Sequence, residues 1–230
     1  MAAMYAVYHG PVGLKRIAEK VHGFAQVFRD SVESFGFTVA NDTFFDTVTV
    51  DTSSAVKDSS IVHDAAKASG LNVRQIDTSS VGVTFDESVI PSDLVKLINV
   101  FAKAAGKESI SLSSLTEPQA SSIPSELIRQ SSFLSHPVFN KHHSETEMLR
   151  YINHLSSKDL GLVHSMIPLG SCTMKLNSTS SMIPVTWPEF SNVHPFAPFD
   201  QVKGYLTVIK VSCLCFVYFG CPNQSSLPGT

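Results

Sequence analysis

Residues 13–36 read GLKRIAEKVHGFAQVFRDSVESFG, and this stretch decides the fold class. Leu14, Ile17, Val21, Phe24, Phe28, Val32 and Phe35 recur every three or four positions, which places them along one face of a helix. Pro11 suits a first helical turn, where no N–H is needed, and Gly36 suits the C-terminal cap. A helix with so wide an apolar face needs another layer to cover it. The next seventy residues supply that layer.

Two strand-like runs come next, FTVA at 37–40 and DTVTVDT at 46–52, in which Val48 and Val50 alternate with threonines. A second helix is predicted from Ser54 to Ser69, stopped by Gly70. LNVRQI (71–76) and VGVTFD (81–86) read as two more strands, split by the turn-forming DTSS at 77–80. PSDLVKLINVFAKAAG (91–106) is a third helix, with Ser92 as its expected cap and Leu94, Leu97, Ile98 and Phe101 facing inward. The order is helix, two strands, helix, two strands, helix. It predicts a small α+β layer with helices on one face of a sheet.

Composition limits what this body can do. The chain has 230 residues, of which 43% are hydrophobic and 16% charged, so a packed core is expected. A net charge of −3 offers no basic stripe for nucleic acid. Cys213, Cys215 and Cys221 fall near the end and only Cys172 lies in the body, which is not a disulfide framework; a reduced compartment fits better. MAAMYAVYHG has the features of neither a signal peptide nor a transit peptide. His9, His22 and His63 lack a second ligand at metal spacing, so they are expected to pack or face solvent.

Residues 107–132 change character, with nine serines and two prolines, and read as a linker. In the HHSETEMLRYINHL that starts at His142, Ser144 and Glu147 fit a reciprocal capping box, with Met148, Tyr151, Ile152 and Leu155 on the buried face. The cap accounts for Glu147, so a metal site with His142 and His143 is not expected. From Leu206, LTVIKVSCLCFVYFG is an apolar burst shorter than the ~20 residues of a membrane span. It has a β-aggregation signature and no visible helical period.

HSMIPLGSCTMKLN, residues 164–177, carries the densest chemistry. Gly170 allows close backbone approach to a ligand, Ser171 and Thr173 add hydroxyls, and Lys175 adds a positive charge. Together they could form an anion-binding concavity. The spacing is not that of a P-loop. Cys172 with His164 is a rival nucleophile reading, but no CGSCW-like context surrounds Cys172; a plain turn held by Pro168 and Pro184 stays as open as the anion site.

This motif also carries a resemblance, together with AAMYAVYHG, FFDTV, FLSHPVFN, HSETEMLRYI, PVTWPEF and HPFAPFDQVKGY. In order over residues 1 to about 205, the chain resembles the glycine cleavage system P-proteins, which are pyridoxal-phosphate glycine dehydrogenases (decarboxylating). The resemblance implies a piece of an α/β enzyme of the aminotransferase-like class (fold type I), with its large domain incomplete. It places the small α+β domain of the family's first half at 1–106 and a connector at 107–143. The helix and arm opening the second half fall at 144–205, and an unrelated tail at 206–230. It also implies lipoylated H-protein and a second P-protein subunit as partners, and a mitochondrial location in eukaryotes.

The family's cofactor lysine lies in a downstream HKTF-type motif that is absent here, and Lys175 does not stand in for it. The expectation is therefore no catalytic residue and no pyridoxal phosphate bound by this chain alone. His164, Gly170, Ser171, Thr173 and Lys175 are left as substrate or anion contacts. The alternative expectation is a truncated, non-catalytic fragment that pairs with an intact subunit.

Overall fold

A computed structural model describes residues 1–56, 58–114, 123–161, 164 and 178–218. The chain divides into two compact units, Met1–Gly161 and Leu162–Thr230.

The first unit runs α1 (Ala2–Ser34), β1 (Thr38–Val39), β2 (Thr47–Asp51), α2 (Ser59–Ala68), β3 (Arg74–Gln75), β4 (Ser80–Thr84) and α3 (Pro91–Ala104), and later α4 (Glu145–Ser156). The strands form one antiparallel sheet in the order β1-β2-β4-β3. Its register pairs Val48 with Val83 and Val50 with Val81. Because side chains alternate along a strand, all four valines share one face, and all four are buried. The helices close over that face: Phe28 of α1, Val62 of α2, and Leu94, Ile98 and Phe101 of α3 join the valines in a single core. Phe28 meets Phe101 edge-on at 5.2 Å and Phe85 at 5.6 Å, the tilted geometry aromatic rings prefer.

The α+β layer expected from the sequence is thus present, and the boundaries shift for identifiable reasons. Helix α1 starts at Ala2, not near Pro11, because the chain is helical on both sides of a break at Gly10 (φ +62°, ψ −179°). Pro11 does open the second segment, as its missing N–H allows. At the far end Gly36 (φ +98°) donates to Glu33 O and Phe37 N–H donates to Val32 O, a Schellman closure that needs the left-handed conformation. Gly70 and Gly106 end α2 and α3 with the same pair of bonds.

Helix α2 begins at Ser59, not Ser54, because Asp58 supplies the cap: its side chain accepts from Ser60 N–H at 2.8 Å. Ser92 is not the cap of α3. Ile90 holds that position, Pro91 follows it, and Asp93 reaches back to the Ile90 N–H at 3.3 Å. LNVRQI contributes only Arg74 and Gln75 to the sheet. The DTSS turn is as expected, with Ile76 N–H donating to Ser80 O at 3.0 Å.

The connector is not wholly apart from the core. The Asn99 side chain bonds both backbone groups of Ile110, at 2.7 and 3.0 Å, and seats it against the core edge. Helix α4 is capped by Ser144, whose hydroxyl accepts from Glu147 N–H at 3.3 Å, so half of the expected capping box is seen. Its apolar face is shallower than expected: Met148, Tyr151 and Leu155 are half-buried, while Ile152 is exposed.

The second unit contains α5 (Thr179–Met182), α6 (Pro188–Ser191) and α7 (Lys203–Tyr218). Among the described residues the apolar burst from Leu206 is helical as far as Tyr218, contrary to the β-type reading; residue propensity is a weak guide there. No helix among the described residues is long and apolar enough to cross a membrane.

Candidate functional site

The loop at 164–177 is described only at His164, which is exposed in a turn. Gly170, Ser171, Thr173 and Lys175 lie outside the described residues, as does Cys172. The segment on the C-terminal side of the loop is defined locally. The Ser178 hydroxyl accepts from Ser181 N–H at 3.2 Å and starts α5. Ile183–Thr186 makes one tight turn, and Trp187 precedes α6 with Pro188 in its first turn. Trp187, Phe190 and Tyr205 then form a line of ring contacts at 6.5 and 6.3 Å. His194 Nδ1 accepts from Phe196 N–H at 3.0 Å. The PVTWPEF and HPFAPFDQVKGY motifs are therefore a string of short capped turns tied by aromatic contacts.

A second gathering of polar groups sits where α1 kinks. The residues after the serine-rich stretch, up to His143, form a strap that includes a short 3-10 turn, Pro137–Asn140, packed on α1. The side chain of Asn140 donates to the carbonyls of Leu134 and His136 at 3.1 and 3.2 Å, tying the strap to itself. Leu134 sits at φ +50°, a conformation bulky side chains rarely adopt. His143 Nδ1 lies 2.7 Å from the Tyr8 carbonyl. A carbonyl can only accept, so this nitrogen carries a proton. His142 stacks on Tyr151 at 4.3 Å, and its buried Nδ1 has no hydrogen-bond partner among the described residues, lying 3.9 Å from Glu147 Oε2.

The two neighbouring histidines thus turn to different partners. Among the described residues, no group of three His, Cys, Asp or Glu could hold a metal ion. His22 is a packed core histidine: it is buried, its Nδ1–H donates to Phe45 O at 2.8 Å, and its ring stacks on Phe45. His9 packs between Tyr5 and Tyr8, and His63 lies beside Asp64 at the surface. Nearby, burial first and the Glu87 carboxylate second push the Tyr5 phenol above its ordinary range. The strap over α1 is what sequence reasoning missed. The one local signal was Gly10-Pro11 inside an otherwise helical run.

The comparisons decide what this assembly belongs to. The family described as Glycine cleavage system P-protein matches residues 1–101. A glycine dehydrogenase (decarboxylating) of Bordetella avium (strain 197N) is 51% identical over 210 residues, covering 91% of this chain and 22% of the relative. One from Paraburkholderia xenovorans (strain LB400) is 50% identical over 214 residues, with the same coverage. The chain belongs to the glycine cleavage system P-protein family. It spans about a fifth of the length of these P-protein relatives. The matched 1–101 region is the kinked α1 and the sheet layer, and residues 164–177 lie beyond it.

Pyridoxal phosphate, the cofactor of this P-protein family, needs a lysine held in a pocket over its ring. Every lysine among the described residues is exposed. Lys15 pairs with Glu19 on the surface of α1, and Lys20 lies over the Phe24 ring and donates to Glu87 O. The described residues therefore do not fit the covalent attachment of the cofactor.

Proposed function

We propose that this chain serves in glycine dehydrogenase (decarboxylating) activity as part of a larger P-protein. There, pyridoxal phosphate supplies the electron sink for the carbanion left when glycine loses CO₂. The remaining aminomethyl group passes to the lipoyl arm of H-protein. The observation that carries this reading is about 50% identity to two glycine dehydrogenases across nine-tenths of the chain. Within that enzyme the larger fold is of the aminotransferase-like class, and in a eukaryote its location is mitochondrial.

The role of this chain is in binding, not covalent chemistry. In this reading His164, Gly170, Ser171, Thr173 and Lys175 contribute substrate or anion contacts in the intact enzyme; four of the five lie outside the described residues. Small residues let backbone N–H groups reach a ligand, and Lys175 neutralises a carboxylate or phosphate. Cys172 is a small filler in this reading, as free cysteines often are.

Borohydride reduction of the isolated chain with pyridoxal phosphate tests the division of labour. No lysine is expected to be labelled stoichiometrically. Stoichiometric labelling of Lys175 would overturn it.

A further inference from the structure

The kink in α1 is built from features that are individually costly and jointly specific. Pro11 has no N–H, so the Val7 carbonyl loses the donor an uninterrupted helix would give it. Gly10 adopts φ +62°, and a Cβ there would stand 2.7 Å from both His143 Cε1 and Phe139 O. Only glycine lets the strap approach so closely. His143 then donates to the Tyr8 carbonyl from 135 residues away. The segment thus held, Ala2–His9, has its own contact surface: Val7 is 4% exposed yet lies outside the main core cluster.

We infer that Gly10 and His143 form a latch. The helical segment Ala2–His9 is a separate cooperative unit that opens about Gly10, and the strap holds it shut through the His143–Tyr8 bond. The residues on either side of His143 bear on α4, where His142 stacks on Tyr151 and Ser144 caps the helix. The strap therefore joins the N-terminal segment to α4. Opening of the latch uncovers Val7 and the Phe139 backbone while the sheet core stays closed. Local opening of this kind is expected where few buried apolar contacts secure a segment.

The test is amide hydrogen exchange on the full chain, comparing Tyr5–His9 with Val48, Val50, Val81 and Val83 as reference. In the wild type the first group should exchange faster than the second. His143→Ala should accelerate Tyr5–His9 by about two- to tenfold, the range for losing one hydrogen bond, with the reference amides unchanged. His143→Asn places an amide donor near the position of Nδ1 and should restore much of the protection. Gly10→Ala should accelerate the same amides further.

The latch is overturned if His143→Ala leaves Tyr5–His9 unchanged, or if reference amides accelerate equally. Equal acceleration by His143→Asn and His143→Ala would also overturn it, because the donor would then not matter.

Discussion

Asp77 shows what one side chain contributes at a turn. Its Oδ1 accepts from the Ser79 N–H at 2.7 Å and from the Ser79 hydroxyl at 2.9 Å. The backbone bond first and the hydroxyl second hold the carboxyl below its ordinary range. Asp51 is lowered in the same way by Ser53, hydroxyl first, and Asp58 by Ser60, backbone first. A carboxyl with a depressed folded-state pKa stabilises the fold above its unfolded value of ~3.9 and loses that contribution as pH falls through the folded value. Melting temperature should therefore drop on acidification below about pH 4, and Asp77→Asn should melt with a shallower dependence there. An unchanged slope would mean that solvent screens these bonds away. The repeated DTSS at 51–54 and 77–80 was visible in the sequence, but only the second copy reads as a turn there. The first continues a strand without a break, so nothing local marks its fold-back onto Ser79 O.

At the scale of elements, legibility followed periodicity. The second segment of α1, from Pro11 onward, and α3 were readable because apolar residues repeat with the helical period and glycines punctuate their ends. The Ala2–His9 segment was not, because it is short and is held by residues more than a hundred positions away. Helix α7 was missed because its β-branched residues carry a strand-like signal, and propensity alone is a weak guide. Two substitutions check the packing account. Phe28→Ala empties a fully buried site between Phe85 and Phe101 and should cost about 3–5 kcal/mol in chemical denaturation. Gly36→Ala meets no atom within 4 Å, but φ +98° is strained for any residue with a Cβ. It should cost about 1–2 kcal/mol. A neutral Gly36→Ala would show that the Schellman closure relaxes.

For the whole molecule, the α+β unit could be read from residue pattern, whereas the function could be read only from family resemblance. The candidate loop has no spacing that physics alone turns into one chemistry: anion site, nucleophile and turn all fit Gly170 to Lys175. Identity of about 50% to two glycine dehydrogenases is what supports the proposed function. The function proposed above makes this chain an interchangeable working part of a glycine dehydrogenase. It is tested most directly by replacing the corresponding segment of the Bordetella avium relative with residues 1–205 of this chain and measuring glycine-dependent exchange of CO₂. The chimaera should retain exchange. Lys175→Ala within it should lower activity by roughly ten- to a hundredfold, the loss of one charged hydrogen bond, while Cys172→Ser leaves it nearly intact. A chimaera that binds pyridoxal phosphate but exchanges no CO₂ would contradict the claim. So would one in which Cys172→Ser abolishes turnover and Lys175→Ala has no effect.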